Sequence, residues 1–212
     1  MKYLSLFSGI GGFELGIQQA YEDKKTGLCK TGVRTSDPVG ILRPNRDSSD
    51  NNSGDGDGGR TCPVCIGYSE IDKYAIQVYN KQFNHKNYGD ITKINEKELP
   101  DFDLLVAGFP CPSYSIAGKR LGLQDPRGEL IFDIIRIIKE KQPKMFLLEN
   151  VKGIISHDKG MTMEIICEAL CECGYAIDFE VLNSKNFGVP QNRERCFFVG
   201  LRLDTVPTDM II

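Results

Sequence analysis

The chain has 212 residues, of which 41% are hydrophobic and 26% are charged, and its net charge is −3. These values are typical of one globular domain and exclude a strongly basic protein, although a local basic cleft is compatible with them. No apolar stretch approaches the roughly 18 residues of a membrane-spanning helix, and the N-terminus lacks the features of a signal peptide. Eight cysteines are scattered along the chain, so we expect reduced thiols and a cytoplasmic protein.

The first twenty residues predict a strand, a glycine turn and a helix. Residues 3–7 are suited to a buried strand, residues 8–12 to a tight turn, and residues 13–20 have apolar side chains at helical spacing. Glycines let the backbone approach a ligand, and a helix N-terminus offers free N–H groups. The turn lacks the third glycine of the dinucleotide-binding fingerprint, so alone it indicates a cofactor loop only weakly.

The composition of residues 23–61 predicts a disordered insertion. Positions 47–59 contain only Asp, Ser, Asn and Gly, which cannot bury enough apolar surface to fold, and they lack the spacing of a calcium loop. Cys62 and Cys65 follow with only Cys29 nearby, which is one ligand short of a structural zinc site. We therefore predict no metal.

The second predicted strand begins at Ile66 and is followed by two acidic residues. Asp72 suits the N-cap of a helix over residues 73–83, which would leave Glu70 free. In the Rossmann unit a carboxylate after the second strand accepts hydrogen bonds from ribose hydroxyls. Glu70 is thus a candidate ligand for a nucleoside.

A third predicted strand, residues 102–106, stops abruptly and presents a cysteine. Pro110 and Pro112 flank Cys111, and proline continues neither a strand ladder nor a helix. Open α/β sheets build their active sites from such strand ends. Cys111 is the candidate nucleophile, and the alternative is a small buried hydrophobic residue.

The second half of the chain continues the alternation of strands and helices. We predict helices at residues 128–142 and 161–173, a strand at residues 145–151, and a hairpin of strands at residues 175–182 and 195–203. This order predicts an α/β fold, with a mostly parallel sheet that carries helices on both faces and ends in a β-hairpin. The glycine turn, Glu70, Cys111 and Glu149 should then meet at one edge of the sheet.

This set of side chains suits attack on an electron-poor ring. The thiolate adds to the ring, and the carboxyl hydrogen-bonds or protonates the ring nitrogen that takes up charge. Arg193 and Arg195 alternate along an extended segment, so both can face carbonyl oxygens or phosphates. The alternative for such arginines is a pair of surface salt bridges.

Four motifs resemble, in order, those of DNA (cytosine-5) methyltransferases. They are LFSGIGGF at residues 6–13, GFPC at 108–111, ENV at 149–151 and QNRER at 191–195. The resemblance implies a Rossmann-like S-adenosylmethionine-dependent methyltransferase fold. It also implies methyl transfer from S-adenosylmethionine to C5 of cytosine in double-stranded DNA.

The same resemblance implies a cofactor pocket. In it Glu70 takes the ribose hydroxyls, Ile71 packs on the adenine, and Asp90 with Ile91 recognises the adenine edge. The other residues that the resemblance places at the cofactor are Phe7, Gly9, Ile10, Gly11, Pro110 and Leu130.

For catalysis, the resemblance implies that Cys111 attacks cytosine C6 and that Glu149 hydrogen-bonds N3 and the exocyclic amine. Arg195 holds O2, and Arg193 supports the loop. C5 takes the methyl group, and loss of the C5 proton releases the enzyme. Because a stacked base cannot be reached, the cytosine is flipped out, and residues 113–122 form the loop that closes behind it.

Three departures accompany the resemblance. Pro112 stands where the family commonly has glutamine, the insertion interrupts a short connection, and the chain ends at Ile212, before the family's target-recognition region. We expect the catalytic part of a methyltransferase from a restriction-modification or phage system, acting at the nucleoid of a bacterial or phage-infected cell. A complementing C-terminal polypeptide would carry the target-recognition region.

Two other functions stay open at this point. One is a catalytically incomplete remnant, or one subunit of a split enzyme, that binds S-adenosylmethionine or DNA. The other is a cysteine hydrolase, which the sequence disfavours because His85 and His157 stand in polar contexts unsuited to a general base.

Overall fold

The fold is an α/β structure built on one six-stranded sheet. The computed structural model describes residues 1–25, 62–110 and 130–205. The strands are β1 (Lys2–Leu6), β2 (Val64–Ser69), β3 (Leu104–Gly108), β4 (Met145–Val151), β5 (Tyr175–Asn183) and β6 (Glu194–Arg202). The helices are α1 (Gly12–Lys25), α2 (Lys73–Tyr79), α3 (Leu130–Lys141) and α4 (Met161–Glu172).

The sheet is mostly parallel and ends in a hairpin, as predicted. Its strand order is β2-β1-β3-β4-β6-β5, in which the first four strands are parallel and β6 runs antiparallel to both of its neighbours. Because β1 to β4 are parallel, their carboxyl ends lie along one edge. The glycine turn, Glu70, the β3 end and Glu149 therefore converge as expected.

Helices cover both faces of the sheet, as the alternation predicted. The larger core lies between the sheet and the pair α3 and α4, where five isoleucines of α3 occupy one buried face (Ile131, Ile134, Ile135, Ile137 and Ile138). On the other face α1 contributes Phe13 and Ile17, which pack against Tyr3 and Val106. No helix within the described ranges is long and apolar enough to cross a membrane.

Several predicted boundaries shift by a few residues. β3 begins at Leu104 rather than at residue 102 and continues to Gly108, because Leu104 pairs with Tyr3 and Gly108 pairs with Glu149. The helix predicted over residues 73–83 ends at Tyr79, where Asn80 donates its N–H to carbonyls of the last turn. α1 continues to Lys25, past the predicted start of the insertion.

Gly200 on β6 allows the hairpin to pack closely against the core. It pairs with Phe146 of β4, and a Cβ at position 200 would lie 2.1 Å from two carbons of the buried Phe146 ring. We predict that Gly200→Ala destabilises the protein by about 1–3 kcal/mol, because the ring must leave its rotamer. Urea unfolding measures this loss.

The control for this prediction is Gly153→Ala, since nothing lies within 4 Å of a Cβ at position 153 among the described residues. An unfolding midpoint for Gly200→Ala equal to that of the control would contradict the packing argument.

Candidate functional site

The turn between β1 and α1 is strained in the way that binding sites often are. Phe7, Gly9 and Gly11 have positive φ angles of 54°, 55° and 95°. A phenylalanine in this region is unfavourable, and such strain persists where the surrounding structure imposes it. Here Ser8 donates its N–H to the Ser69 carbonyl at 3.3 Å, which ties the turn to the end of β2.

Glu70 fixes the glycine turn from the neighbouring strand. Its Oε2 accepts the Gly9 N–H at 2.9 Å, and its Oε1 accepts the N–H groups of Ile71 and Asp72 at 2.8 and 2.9 Å. The prediction that Asp72 caps α2 is confirmed, because its side chain accepts from Tyr74 and Ala75. The expectation that Glu70 is free was wrong: its carboxylate already bonds three backbone donors.

This arrangement is compatible with a nucleoside ligand. A carboxylate has about four lone-pair sites, so Glu70 retains capacity for a hydroxyl donor beside its three backbone bonds. Ile10 and Ile71, adjacent in sequence to the two ends of the Gly9–Glu70 hydrogen bond, are 59% and 73% exposed. Exposed apolar side chains next in sequence to both partners of this bond suit a ring attached to a ribose.

Asp90 and Ile91 lie at the start of a short 3-10 turn, Ile91–Lys93. Asp90 caps it by accepting the N–H and the hydroxyl of Thr92 at 3.1 and 2.9 Å, and these bonds lower the pKa of the Asp90 carboxyl. The Ile91 side chain is buried in the core, 3% exposed. A ligand at this edge would therefore meet Asp90 or the backbone rather than the Ile91 side chain.

Two residues that sequence reasoning missed position this turn. Asn87 exchanges hydrogen bonds with the backbone of Glu70 at 3.1 and 3.3 Å, which brings the loop beside that carboxylate. Arg136 on α3 donates to the carbonyls of Ile91 and Ile94 at 3.0 and 2.9 Å. An arginine in the middle of an amphipathic helix gives no local indication of such a partner.

The carboxyl ends of β3 and β4 lie side by side. Gly108 pairs with Glu149, and the buried Asn150 donates its side-chain amide to the Phe109 carbonyl at 3.1 Å. Pro110, which follows, is exposed, and Leu130 is half-buried at the start of α3. Cys111, Pro112, residues 113–122, Cys29 and residues 26–61 lie outside the described residues.

Glu149 and Arg195 form an ion pair in the lining of a pocket. Their Oε1 and Nε atoms are 2.8 Å apart, and the side chains are 23% and 21% exposed. The pocket has a volume of about 330 Å³. Its other lining residues are Leu182, Ser184, Phe187, Arg193 and Phe197.

The pocket combines the features of a site for one planar polar ring. Its volume is at the small end of ligand sites, and its polar groups are one carboxylate, one hydroxyl and two guanidinium groups beside two aromatic side chains. The sequence indicated Glu149, Arg193 and Arg195 but not Phe187 or Phe197. The antiparallel register of β6 pairs Phe197 with Glu149, and Phe187 lies in the 3-10 turn Ser184–Phe187 between β5 and β6.

The two histidines are engaged locally. The interpretation that both stand in polar contexts was wrong for His85, which stacks on Phe83 with ring centroids 5.6 Å apart. Its Nδ1 lies 2.9 Å from the Tyr79 hydroxyl, and burial lowers its pKa. His157 Nδ1 lies 2.6 Å from the Thr162 hydroxyl. The described residues contain no group of three or more His, Cys, Asp or Glu arranged to hold a metal.

Comparison with known proteins adds independent information. The model of the family described as C-5 cytosine-specific DNA methylase matches residues 59–210. The chain is 54% identical over 199 residues to type II methyltransferase M1.ScrFI of Lactococcus lactis subsp. cremoris, covering 94% of the chain and 41% of that relative. It is 48% identical over 204 residues to type II methyltransferase M.HhaI of Haemophilus parahaemolyticus, covering 96% and 50%.

The fold has solved counterparts as well. The S. pombe Dnmt2 methyltransferase superimposes with a TM-score of 0.65 at 17% identity, covering 98% of this chain and 51% of that one. At this identity the likeness concerns the fold alone. The chain spans half or less of the length of each of the two type II relatives.

Proposed function

Because the chain belongs to the C-5 cytosine-specific DNA methylase family, we propose that it forms the cofactor- and base-binding part of an S-adenosylmethionine-dependent enzyme that methylates cytosine C5 in double-stranded DNA. The observation that carries this proposal is the Glu149–Arg195 pair in a 330 Å³ pocket beside the strand end that precedes Cys111.

S-adenosylmethionine, when bound, supplies an electrophilic methyl group. The residues that would hold it are those of the strained turn and the edge of β2, namely Phe7, Gly9, Ile10, Gly11, Glu70, Ile71 and Asp90. Glu70 would accept the ribose hydroxyls, and Ile10 and Ile71 would flank the adenine. The arrangement fits because Glu70 is fixed by three backbone donors and is only partly buried, and because Ile10 and Ile71, next in sequence to Gly9 and Glu70, are exposed.

The base pocket would handle the charge that develops on cytosine. Attack of the Cys111 thiolate on C6 forms an S–C6 bond and places negative charge on the ring, towards N3 and O2. Glu149 would bond N3 and the exocyclic amine, and the Arg195 guanidinium would face O2. After methylation, the C5 proton leaves to a base, its bonding pair re-forms the C5–C6 double bond, and the S–C6 bond breaks.

The proposal extends to the partners. A pocket whose volume suits a single ring would require the cytosine to leave the base stack, so the DNA would be opened at the target. The target-recognition region would lie on a complementing polypeptide segment. The setting would be a restriction-modification or phage system at the nucleoid of a bacterial or phage-infected cell.

The test of the proposed function is covalent trapping. A duplex containing 5-fluorocytosine cannot lose a proton from C5, so the adduct with Cys111 should persist in the presence of S-adenosylmethionine and survive denaturing electrophoresis. We expect an adduct with this chain joined by the C-terminal half of a relative, and none with Cys111→Ser.

The second part of the experiment measures the transfer of labelled methyl groups to duplex DNA that contains no 5-fluorocytosine. Label on any atom other than cytosine C5 would contradict the proposal. An unchanged amount of transferred label in Cys111→Ser would contradict it as well. Binding of S-adenosylmethionine without adduct or transfer would favour the binding remnant.

A further inference from the structure

A buried carboxyl group lies directly behind the glycine turn. Glu14, in the first turn of α1, is completely buried. Its Oε1 accepts the Tyr79 hydroxyl at 3.0 Å, whereas Oε2 has no hydrogen-bond partner of standard geometry in the described part of the chain. A carboxyl that is buried and only partly hydrogen-bonded costs stability, so its presence calls for a compensating role.

Within the described ranges, no cation compensates the charge of Glu14. The described titratable side chains that interact with it are Tyr3 on β1, Cys65 and Tyr68 on β2, and Tyr79 on α2. Among the described residues it forms no salt bridge. Burial raises the pKa of Glu14, and the neighbouring Ser5 side chain, its own backbone N–H and the Tyr79 hydroxyl oppose this rise. A leucine would fill such a site at lower cost, so electrostatics does not explain the carboxyl.

Tyr79 connects this carboxyl to the rest of the site. Its hydroxyl stands between Glu14 Oε1 at 3.0 Å and His85 Nδ1 at 2.9 Å. Its ring stacks on Tyr68, with centroids 3.8 Å apart. The hydrogen-bond chain therefore joins α1, α2 and the loop that follows α2.

The glycine turn rests against the same aromatic residues. A Cβ at Gly11 would lie 2.5 Å from Phe83 and 3.4 Å from Tyr79. Gly11 donates its N–H to the Ser8 carbonyl at 2.9 Å, and its carbonyl accepts from Leu15, the residue after Glu14. A shift of Tyr79 relative to α1 would therefore move Gly11, and with it Gly9 and its bond to Glu70.

We propose that Glu14 is a positioning residue, which acts through Tyr79 and His85 to hold the glycine turn in the conformation that binds the nucleoside part of the cofactor. This inference rests on the proposed function, because it concerns the same cofactor site. Glu14 does not itself touch the ligand: it sets the position of α1 against α2.

Three variants of the protein, each joined to the same C-terminal half, test this role. Glu14→Leu keeps the volume and removes the acceptor, Tyr79→Phe keeps the stacked ring and removes the hydroxyl, and Glu14→Gln keeps an acceptor oxygen. We expect Glu14→Leu and Tyr79→Phe to raise the dissociation constant of S-adenosylmethionine about tenfold, the usual effect of a lost buried hydrogen bond. Glu14→Gln should restore binding to within about threefold of wild type.

Two further readouts separate positioning from mere stability. The kcat at saturating S-adenosylmethionine should stay near wild type while KM rises, and the Glu14→Leu/Tyr79→Phe double variant should lose less affinity than the sum of the two single losses, because both substitutions remove the shared Glu14–Tyr79 bond. Tyr74→Phe, which removes an exposed hydroxyl from the same helix, is the control and should bind as wild type does.

The possible outcomes distinguish this inference from the proposed function. Wild-type affinity in Glu14→Leu or, where that variant does not fold, in Tyr79→Phe overturns the inference alone. The inference is also overturned if KM rises and kcat falls in proportion to the loss of thermal stability, because such changes indicate a purely structural role. A wild-type protein that does not bind S-adenosylmethionine by calorimetry overturns the proposed function and this inference together.

Discussion

Replacing Glu149 with glutamine should lower the rate of methyl transfer by about 10²–10⁴-fold, the range associated with a positioned acid or base. The glutamine would keep the shape of the side chain, but it would present an NH₂ group or a weak acceptor where the proposed mechanism uses a carboxyl. It would also remove the charge that faces Arg195 at 2.8 Å. Single-turnover transfer to a duplex substrate measures the chemical step.

The matched control for Glu149 is Glu194→Gln, on the neighbouring strand. Glu194 is exposed and forms a surface ion pair with Lys152 at 3.1 Å, which contributes little, about 0–1 kcal/mol. This control should retain the wild-type rate. If Glu149→Gln transferred methyl groups within about threefold of Glu194→Gln, the carboxyl would have no part in the chemistry.

Replacing Gly11 with alanine should weaken the binding of S-adenosylmethionine by about 10- to 100-fold, equivalent to about 1.4–2.8 kcal/mol. Two causes add. The φ of +95° is unfavourable for any residue with a Cβ, and the new methyl group would lie 2.5 Å from Phe83. Since Phe83 is buried, the turn must move, and its bond to Glu70 moves with it.

The control for Gly11 is Gly16→Ala, a change of the same size on α1. Nothing lies within 4 Å of a Cβ at position 16 among the described residues, and alanine in a helix is favoured over glycine by about 0.5–1 kcal/mol. Titration calorimetry should therefore show wild-type affinity for this control. Equal affinities for the two variants would mean that the conformation of the turn does not matter for binding.

Much of the fold was predictable because the relevant patterns are local. The bounds of β4 agree with the prediction residue for residue, since its apolar run begins shortly after Pro143, which stops the predicted helix before it. The N-cap at Asp72 was predictable from residue type alone, because its side chain reaches donors two and three residues away. The order of strands and helices also implied the shared edge.

The remainder depended on contacts that no local pattern encodes. Glu70 was expected to be free, but it bonds Gly9, 61 residues earlier. Arg136 anchors a turn 45 residues before it, through the Ile91 carbonyl. His85 was expected in a polar context and stacks on an aromatic ring instead, because α2 ends early and turns the following loop back onto its own side chains.

The amino-acid sequence by itself therefore determined the class of fold, the family and the chemical type of the site, since glycine turns, strand ends and titratable residues act over a few positions. Only the tertiary structure decided which groups meet. The antiparallel register of β6 brings Arg195 to Glu149, and the packing of α1 on α2 places Glu14 behind Gly11. Such pairings follow from the cooperative burial of a whole core, in which strand order and register are set together.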